Sequence, residues 1–236
     1  MTLEKYGLLR HVLTHAAPGQ PLTSAWLAEQ GVSPQLAYHY VQAGWLIRLG
    51  HGWFLRASSD KPELLLSLAA LSGTFHIGGK TALAWHGYHH NLAHRAATEL
   101  FAQGPFRLPE WMQSQFPLTV RKRRLFDDGA QGVAPWRYMA SLRVAEPERA
   151  VLEMLWGVPQ HQTLEEATHL VEILFGLRAT LMQPLLESCR NIKAVRLFLN
   201  LAKQASHPIM EDLDMTRITG SAAPYVRRHA TATIRT

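Results

Sequence analysis

The chain has 236 residues, of which 47% are hydrophobic and 18% are charged, and its formal charge is +6. This composition excludes a mainly disordered chain, and the length allows either one large domain or two small ones. The positive charge favours an anionic partner, but it does not say which part of the chain would bind it.

The basic residues are spread unevenly along the sequence. Residues 1–57 hold four lysines and arginines against two acidic residues, whereas the run RKRR at 121–124 holds four basic residues without an acid. Four more arginines and no acid follow Asp214, namely Arg217, Arg227, Arg228 and Arg235. A DNA-binding segment must therefore be sought in the pattern of residues, because net charge does not single out the N-terminus.

The sequence has none of the features expected of a secreted or membrane protein. Its single cysteine, Cys189, excludes a disulfide framework and a zinc site built from cysteines, and it fits a reducing compartment. The first twenty residues have no long apolar core, so we expect no signal peptide. No apolar run approaches the roughly 18 residues that span a bilayer. We therefore expect a cytoplasmic protein that does not cross a membrane.

The first thirty residues have the spacing of two helices. In LEKYGLLRHVLTHA, one helical face carries the apolar residues Leu3, Tyr6, Leu9, Val12 and Leu13. The segment APGQP, with two prolines and a glycine, ends this helix. In LTSAWLAEQGV, either Thr23 or Ser24 is a suitable N-cap, and Trp26 and Leu27 are expected to face the core.

A third helix is predicted after Ser33, with one apolar face and one polar face. Ser33 is a favourable N-cap, and Pro34 stands at the first helical position, where its missing N–H group has no cost. Gly44 suits the left-handed conformation that ends a helix. The predicted buried face consists of Leu36, Ala37, Tyr40 and Val41. The predicted exposed face consists of Gln35, Tyr38, His39 and Gln42.

The next stretch, WLIRLGHGWFLR, predicts a β-hairpin with its turn at His51 and Gly52. Three helices followed by a hairpin are the elements of a winged helix-turn-helix, a DNA-binding fold. We therefore expect residues 1–57 to form a DNA-binding domain. Residues 58–236 are expected to form a larger mixed α/β domain with several packed helices, with no regular pattern in its tail at 216–236. The predicted fold class is α+β.

A helix in the major groove would bring its exposed side chains to base edges and phosphates. Glutamine pairs with adenine or contacts phosphate, and the wing would meet the backbone or the minor groove. The expected DNA-binding residues of this domain are Ser33, Gln35, Tyr38, His39, Gln42, Arg48, His51 and Arg56. The basic run would add Arg121, Lys122, Arg123 and Arg124, unless it is a solvated strand end. Two arginines predict modest affinity for one monomer, which pairing on repeated half-sites would strengthen.

The histidine-rich segment HIGGKTALAWHGYHH allows another interpretation, an enzyme with a metal site. No carboxylate lies at ligand spacing near its histidines, which argues against that interpretation. Gly78 and Gly79 are better explained by a tight turn from a strand into a helix. The histidines concerned are His76, His86, His89 and His90.

The acidic residues of PERAVLEML also have an explanation without catalysis. Glu146, Glu148 and Glu153 would stand at a helix start, where negative charge is favourable, and Arg149 would pair with a neighbouring acid. No nucleophile with its base, no phosphate-binding glycine loop and no metal-ligand set stands out. We therefore expect no catalytic residues, no metal and no cofactor.

Four stretches of the chain, taken together, are typical of one protein family. They are SPQLAYHYVQAGWLIRLGHGWFLR, FHIGGKTALAWHGY, PERAVLEMLWGVP and LLESCRNIKAVRLFLNLA, in that order. The combination resembles the AbiEi-type antitoxins of type IV toxin–antitoxin systems over residues 5–205. The tail keeps Gly220 and Ser221 but then departs from the family's usual glycine-rich, basic ending.

This resemblance implies a winged helix-turn-helix that binds double-stranded promoter DNA and represses its own operon. It also implies a C-terminal α/β domain that helps to neutralise a toxin similar to nucleotidyltransferases, without a stable complex between the two proteins. The alternative is a module that binds a protein partner directly, without sequence-specific contact to DNA.

Overall fold

The structure of the protein is a computed structural model that describes residues 3–58, 61–88 and 97–219. The chain divides into two compact units, which are described separately below. The first contains Met1–Thr74 and Pro105–Leu118, and the second contains Phe75–Gly104 and Thr119–Thr236. The mixture of helices and strands, with a larger C-terminal part, confirms the predicted fold class. The first unit extends past residue 57, where the sequence suggests a domain boundary.

The first compact unit combines helices with a small sheet. Its helices are α1 (Leu3–His15), α2 (Ser24–Glu29), α3 (Pro34–Gln42), α4 (Leu64–Ala69) and, from the later segment, α6 (Glu110–Gln115). Its strands are β1 (Leu22–Thr23), β2 (Leu46–Gly50) and β3 (Trp53–Arg56). The predicted order of three helices followed by a hairpin is present, and it is consistent with a winged helix-turn-helix.

The sheet of this unit has the order β1-β3-β2, with antiparallel pairs throughout. The alternation and the turn predict the hairpin, but nothing in the sequence predicts the two-residue strand β1. Leu22 of β1 pairs with Phe54 of β3, thirty-two positions later in the chain. A strand this short has no period of its own, so local sequence patterns do not reveal it.

Apolar side chains from all three helices and both hairpin strands form one core. It contains Leu9, Val12, Ala16, Leu22, Leu27, Val32, Ala37, Tyr40, Leu46 and Phe54. The prediction that Tyr6 belongs to the inward face of α1 is wrong, because Tyr6 is 54% exposed. Trp26 is only partly buried against this core, whereas Leu27 is fully buried.

The second unit is built around a five-stranded sheet. Its strands are β4 (Phe75–Ile77), β5 (Thr98–Ala102), β6 (Leu118–Lys122), β7 (Val133–Trp136) and β8 (Met139–Ala145). Their order across the sheet is β6-β5-β4-β8-β7, with β4 parallel to β8. The sequence DDGAQGVAP suggests a loop throughout, which is wrong from Val133 onward, because β7 begins there and pairs with β8.

Helices pack beside this sheet and bury most of their apolar side chains. They are α5 (Gly79–Trp85), α7 (Pro147–Trp156), α8 (Leu164–Glu172), α9 (Ala179–Ser188), α10 (Ile192–Gln204) and α11 (Ile209–Asp212). A short 3-10 turn, Met215–Arg217, follows them. Every residue of α7 from Glu148 to Leu155 is buried, so α7 is a central helix of the unit.

Several sequence predictions concern residues that lie outside the described part of the chain. These are His89 and His90 of the histidine-rich segment and the tail from Gly220 onward. Within the described residues, no helix is both long enough and apolar enough to cross a membrane.

Candidate nucleic-acid interface

Helix α3 has the two faces that its sequence predicts. Ala37 and Tyr40 are buried, and Tyr40 is 0% exposed. The polar residues Gln35, Tyr38, His39 and Gln42 are all exposed. Their spacing of three and four residues places them together on one side of the helix. The exposed face is therefore a continuous polar surface supported by a fixed core.

Both ends of α3 are fixed by the residues that the sequence indicates. The Ser33 hydroxyl accepts a hydrogen bond from the Leu36 N–H at 3.2 Å, and Pro34 occupies the first turn. Gly44 has a φ of 75°, the left-handed conformation that ends the helix. Both predictions are confirmed. The N-cap and the glycine stop set the length of the exposed face.

The turn between α2 and α3 fixes how the two helices meet. The Thr23 hydroxyl accepts a hydrogen bond from the Trp26 N–H at 3.0 Å, which decides between the two predicted N-caps in favour of Thr23. The Val32 N–H donates to the Leu27 carbonyl at 2.9 Å, and Gly31 takes a φ of 81°. These bonds close the turn, so α3 is held on α2 as a helix-turn-helix requires.

The hairpin of β2 and β3, called the wing below, stands where a winged helix has its wing, and its tip is tied to α2. The Ser24 N–H donates to the Gly52 carbonyl at 2.8 Å, beside the exposed His51. Arg48 is exposed, and its Nε donates to the Gly50 carbonyl at 3.3 Å. That bond is local and solvent-exposed, so it leaves the rest of the guanidinium open to a ligand.

Arg56 differs from Arg48 in its surroundings. Its Nη1 donates to the Ala16 carbonyl at 2.8 Å and so joins the end of β3 to the end of α1. Its Nε is buried, with no hydrogen-bond partner among the described residues. Arg56 therefore has a role inside the fold, and the DNA contact expected from its place on the wing stays a prediction.

The basic run belongs to the second unit, where its four side chains have different partners. Arg121 lies 3.1 Å from Glu99 and is 18% exposed, so it is largely committed to this ion pair. Arg124 donates to the Asp127 carbonyl at 2.7 Å, and the Arg123 guanidinium lies 6.0 Å from the centre of the Trp156 ring. Lys122, Arg123 and Arg124 are exposed and line a cleft of about 160 Å³.

The histidines of the HIGG segment serve the fold of the second unit. His76 is 4% exposed, and its Nε2 lies 2.7 Å from a Glu153 carboxylate oxygen. The His86 ring nitrogen Nε2 lies 3.0 Å from the Ala145 carbonyl oxygen. Within residues 3–58, 61–88 and 97–219, no group of three or more His, Cys, Asp or Glu side chains could hold a metal ion.

Glu153 is the centre of this buried polar network, a role that its sequence position does not suggest. Its carboxylate also accepts bonds from Arg149 Nε at 2.7 Å and from the Gly79 N–H at 3.2 Å. Burial opposes its ionisation, but His76 and Arg149 outweigh this effect and hold the pKa of the carboxyl below its usual value. A side chain at Gly78 would collide with the same carboxylate.

The helix-dipole account is therefore incomplete for the acidic residues of PERAVLEML. Glu146 is the N-cap of α7, and Glu148 accepts a hydrogen bond from Arg178 Nε at 2.9 Å. Glu153 lies two turns further along and acts through its long-range contacts. The predicted pairing of Arg149 with a neighbouring acid is confirmed.

Burial raises the pKa of the Cys189 thiol to about 11, which disfavours a reactive thiolate.

Family comparison assigns the chain to a class of transcriptional regulators. A model described as a transcriptional regulator, the AbiEi antitoxin of a type IV TA system, matches residues 95–232. A model of the AbiEi antitoxin N-terminal domain matches residues 6–94. The chain therefore belongs to the AbiEi antitoxin family of transcriptional regulators. This family is regulatory and is not a known class of enzyme.

One solved structure extends the comparison to the fold. The crystal structure of the RV2827C protein from Mycobacterium tuberculosis is similar with a TM-score of 0.55 and 14% sequence identity. The match covers 89% of this chain and 80% of that chain. At this identity the likeness concerns the fold alone. No curated protein matches this sequence.

Proposed function

We propose that the protein represses its own operon by binding the double-stranded DNA upstream of its gene through α3 and the wing. The observation that carries this proposal is the exposed polar face of α3, held on a core that includes Tyr40. Such a face has no role in packing, and a helix-turn-helix presents its second helix to the major groove. Family membership supports the same function.

Each exposed residue of α3 has a chemical role in this proposal. The Gln35 and Gln42 amides each carry a donor and an acceptor, the pair that matches the N6 and N7 edge of adenine. Tyr38 and His39 reach base edges or phosphates. Ser33 stands at the helix N-terminus, where backbone N–H groups favour a phosphate. These contacts would set both register and sequence preference.

The wing would add contacts to the DNA backbone or the minor groove through Arg48 and His51. We expect Arg56 to contribute less, because its guanidinium already has the Ala16 carbonyl as an acceptor. Few cations in this unit mean a shallow salt dependence for one protomer. Two copies on repeated half-sites would give the affinity that a repressor needs.

The family also supports an antitoxin role, in which the second unit helps to counter a nucleotidyltransferase-like toxin without a stable complex. A toxin encoded by the adjacent gene would then arrest growth when expressed alone and cease to do so when this protein is co-expressed. Failure of the full-length protein to restore growth would remove this part of the proposal and leave the DNA-binding part intact.

Fluorescence anisotropy with the native upstream duplex and a scrambled duplex, at two salt concentrations, tests the DNA-binding proposal. We expect tighter binding to the native duplex that survives the higher salt. Gln35→Ala combined with His39→Ala should lower this preference by about 1–3 kcal/mol for each base that the variant no longer recognises. Gln204→Ala, an exposed glutamine at the end of α10, is the matched control and should bind like the wild type.

A second candidate function, direct binding of a protein partner, is favoured by one observation. Exposed aromatic and aliphatic side chains lie on α3 and at the start of the wing, at Tyr38 (60% exposed), Trp45 (44%) and Ile47 (45%). Aromatic residues are enriched in protein interfaces. Equal binding to both duplexes that disappears at higher salt, together with retention of a partner by the purified protein, would favour this alternative over DNA recognition.

A further inference from the structure

A segment from the middle of the chain is part of the same compact unit as the wing. Residues Pro105–Leu118, which include α6, belong to the first unit with Met1–Thr74. The Trp111 and Trp53 rings lie 5.5 Å apart, between α6 and β3. A Cβ at Gly50 would stand only 3.1 Å from Trp111 Cδ1. Helix α6 therefore packs directly against the end of the hairpin.

A cleft of about 660 Å³ opens between the hairpin end and α6. Its lining includes Gly50, His51 and Trp53 of the hairpin and Arg107, Glu110 and Trp111 of the later segment. Trp111 is 7% exposed, and its indole Nε1 is buried without a hydrogen-bond partner among the described residues. The cleft thus combines aromatic walls with donor groups beside the wing tip.

The charged groups of the cleft are available to a ligand. The Arg107 and Glu110 side chains are 86% and 90% exposed, and their nearest charged atoms are 3.7 Å apart. An ion pair this exposed and this long contributes little, because solvent screens it and both side chains lose entropy to hold it. An anion with better geometry can therefore replace Glu110 as the partner of Arg107.

We propose that this cleft receives the sugar–phosphate backbone of a DNA strand that passes the wing, with Arg107 as a phosphate contact and His51 beside it. The inference rests on the proposed function, since it requires α3 to place DNA beside the wing. It adds to that function a contact from a segment about fifty positions beyond the hairpin. It also implies that Glu110 opposes binding, because its carboxylate would face the same phosphates.

Two substitutions with opposite expected effects test the proposal in the full chain. Arg107→Gln should reduce the slope of log affinity against log salt by about 0.9, which is about eightfold in affinity over one decade of salt. Glu110→Gln should strengthen binding, because it removes a negative charge and frees Arg107. A change that merely perturbed the fold would weaken binding in both variants.

Arg10→Gln is the matched control, because Arg10 is an exposed arginine on α1 in the same unit and outside the cleft. Anisotropy with the native duplex should show a larger decrease in affinity for Arg107→Gln than for Arg10→Gln. Equal decreases in these two variants, or weaker binding by Glu110→Gln, would overturn the proposal while leaving recognition by α3 intact. If the wild type itself bound native and scrambled duplexes equally, the proposed function would fail, and this inference with it.

Discussion

The two compact units differ in how they use charge. The first contains six lysines and arginines and five acidic residues, whereas the second contains eighteen and thirteen. Most of the excess positive charge thus lies in the second unit, yet the polar face proposed to bind DNA lies in the first. Net charge by itself points to the second unit, whereas the proposed recognition face lies in the first.

The partners and burial of individual side chains explain this difference. In the second unit, Arg121 pairs with Glu99, and Arg149 is almost fully buried beside Glu153. These two charges are engaged in the fold, whereas Lys122, Arg123 and Arg124 of the same unit are exposed. In the first unit, the polar side chains of α3 are exposed on a helix whose other face is buried. The patterned polar face of α3, and not formal charge, therefore identifies the candidate interface.

The largest expected effect tests the core beneath the exposed face of α3. Tyr40→Asp should cost more than about 4 kcal/mol, because it removes a fully buried aromatic ring and buries a carboxylate in its place. A small unit with a stability of a few kcal/mol would unfold. Loss of near-UV circular dichroism from the first unit, followed during thermal melting, would report this.

Tyr38→Asp provides the matched control, since Tyr38 lies on the same helix and is 60% exposed. Its free energy of unfolding should lie within about 0.5 kcal/mol of the wild-type value, as is usual for surface substitutions. Similar melting of the Tyr40→Asp and Tyr38→Asp variants would mean that α3 has no fixed inner face, and the recognition proposal would lose its structural basis.

Glu153→Gln should have the next largest effect, now on the second unit. It removes the carboxylate shared by His76 and Arg149 and leaves the buried Arg149 guanidinium without its anionic partner, which typically costs about 3–5 kcal/mol. Urea unfolding should show the decrease in stability. Glu187→Gln, which breaks the partly exposed pair with Arg217, should cost less than about 1 kcal/mol. Equal midpoints for the two variants would contradict the central role of the network.

The same carboxylate predicts how the stability of the second unit depends on pH. Because folding lowers the pKa of Glu153, its contribution is fully present above the pKa of the unfolded chain, about 4.3. It is lost as the pH falls below that value toward the folded pKa. Stability measured from pH 6 to pH 3 should therefore fall more steeply in the wild type than in Glu153→Gln. Parallel curves would show that Glu153 does not titrate as inferred.

The sequence predicts the features that depend on neighbouring residues and misses those that depend on distant ones. The ends of α3, its two faces and the hairpin turn depend on neighbouring residues, and the sequence predicts each of them correctly. His76 and Glu153 are 77 positions apart, so no spacing rule connects them. Strand β1 and the start of β7 escape prediction for the same reason, because their pairing partners define them.

Two further residues show the same limit at the candidate interface. Arg56 has the sequence context of a wing cation, but its bond to Ala16 spans forty positions and is visible only in the fold. Trp111 has the helical spacing of a buried residue, yet nothing in that spacing places it against the hairpin. Residues that join distant segments are therefore the ones whose roles require the structure.

Arg48 and Arg56 allow a comparison within one hairpin, with a moderate expected effect. Arg56→Gln should lower the stability of the first unit by about 1–3 kcal/mol, because it removes the donor to a partly buried carbonyl. Arg48→Gln should leave stability unchanged and weaken binding to the native duplex. Thermal melting and anisotropy of both variants separate the two effects. If Arg56→Gln weakened DNA binding without lowering the melting temperature, Arg56 would be a DNA contact and not a residue that stabilises the fold.

The smallest effect on sequence discrimination is expected from the basic run of the second unit. Replacing Lys122, Arg123 and Arg124 with serine leaves the Arg121–Glu99 pair intact and removes only exposed cations. If these side chains contact DNA, the salt slope should fall by about 0.9 for each phosphate that is no longer neutralised. Phosphate contacts carry no sequence information, so affinity for the native and scrambled duplexes should fall together and their ratio should change less than about twofold. An unchanged slope would make the run a solvated strand end, whereas a large change in the ratio would mean that the second unit also contacts bases.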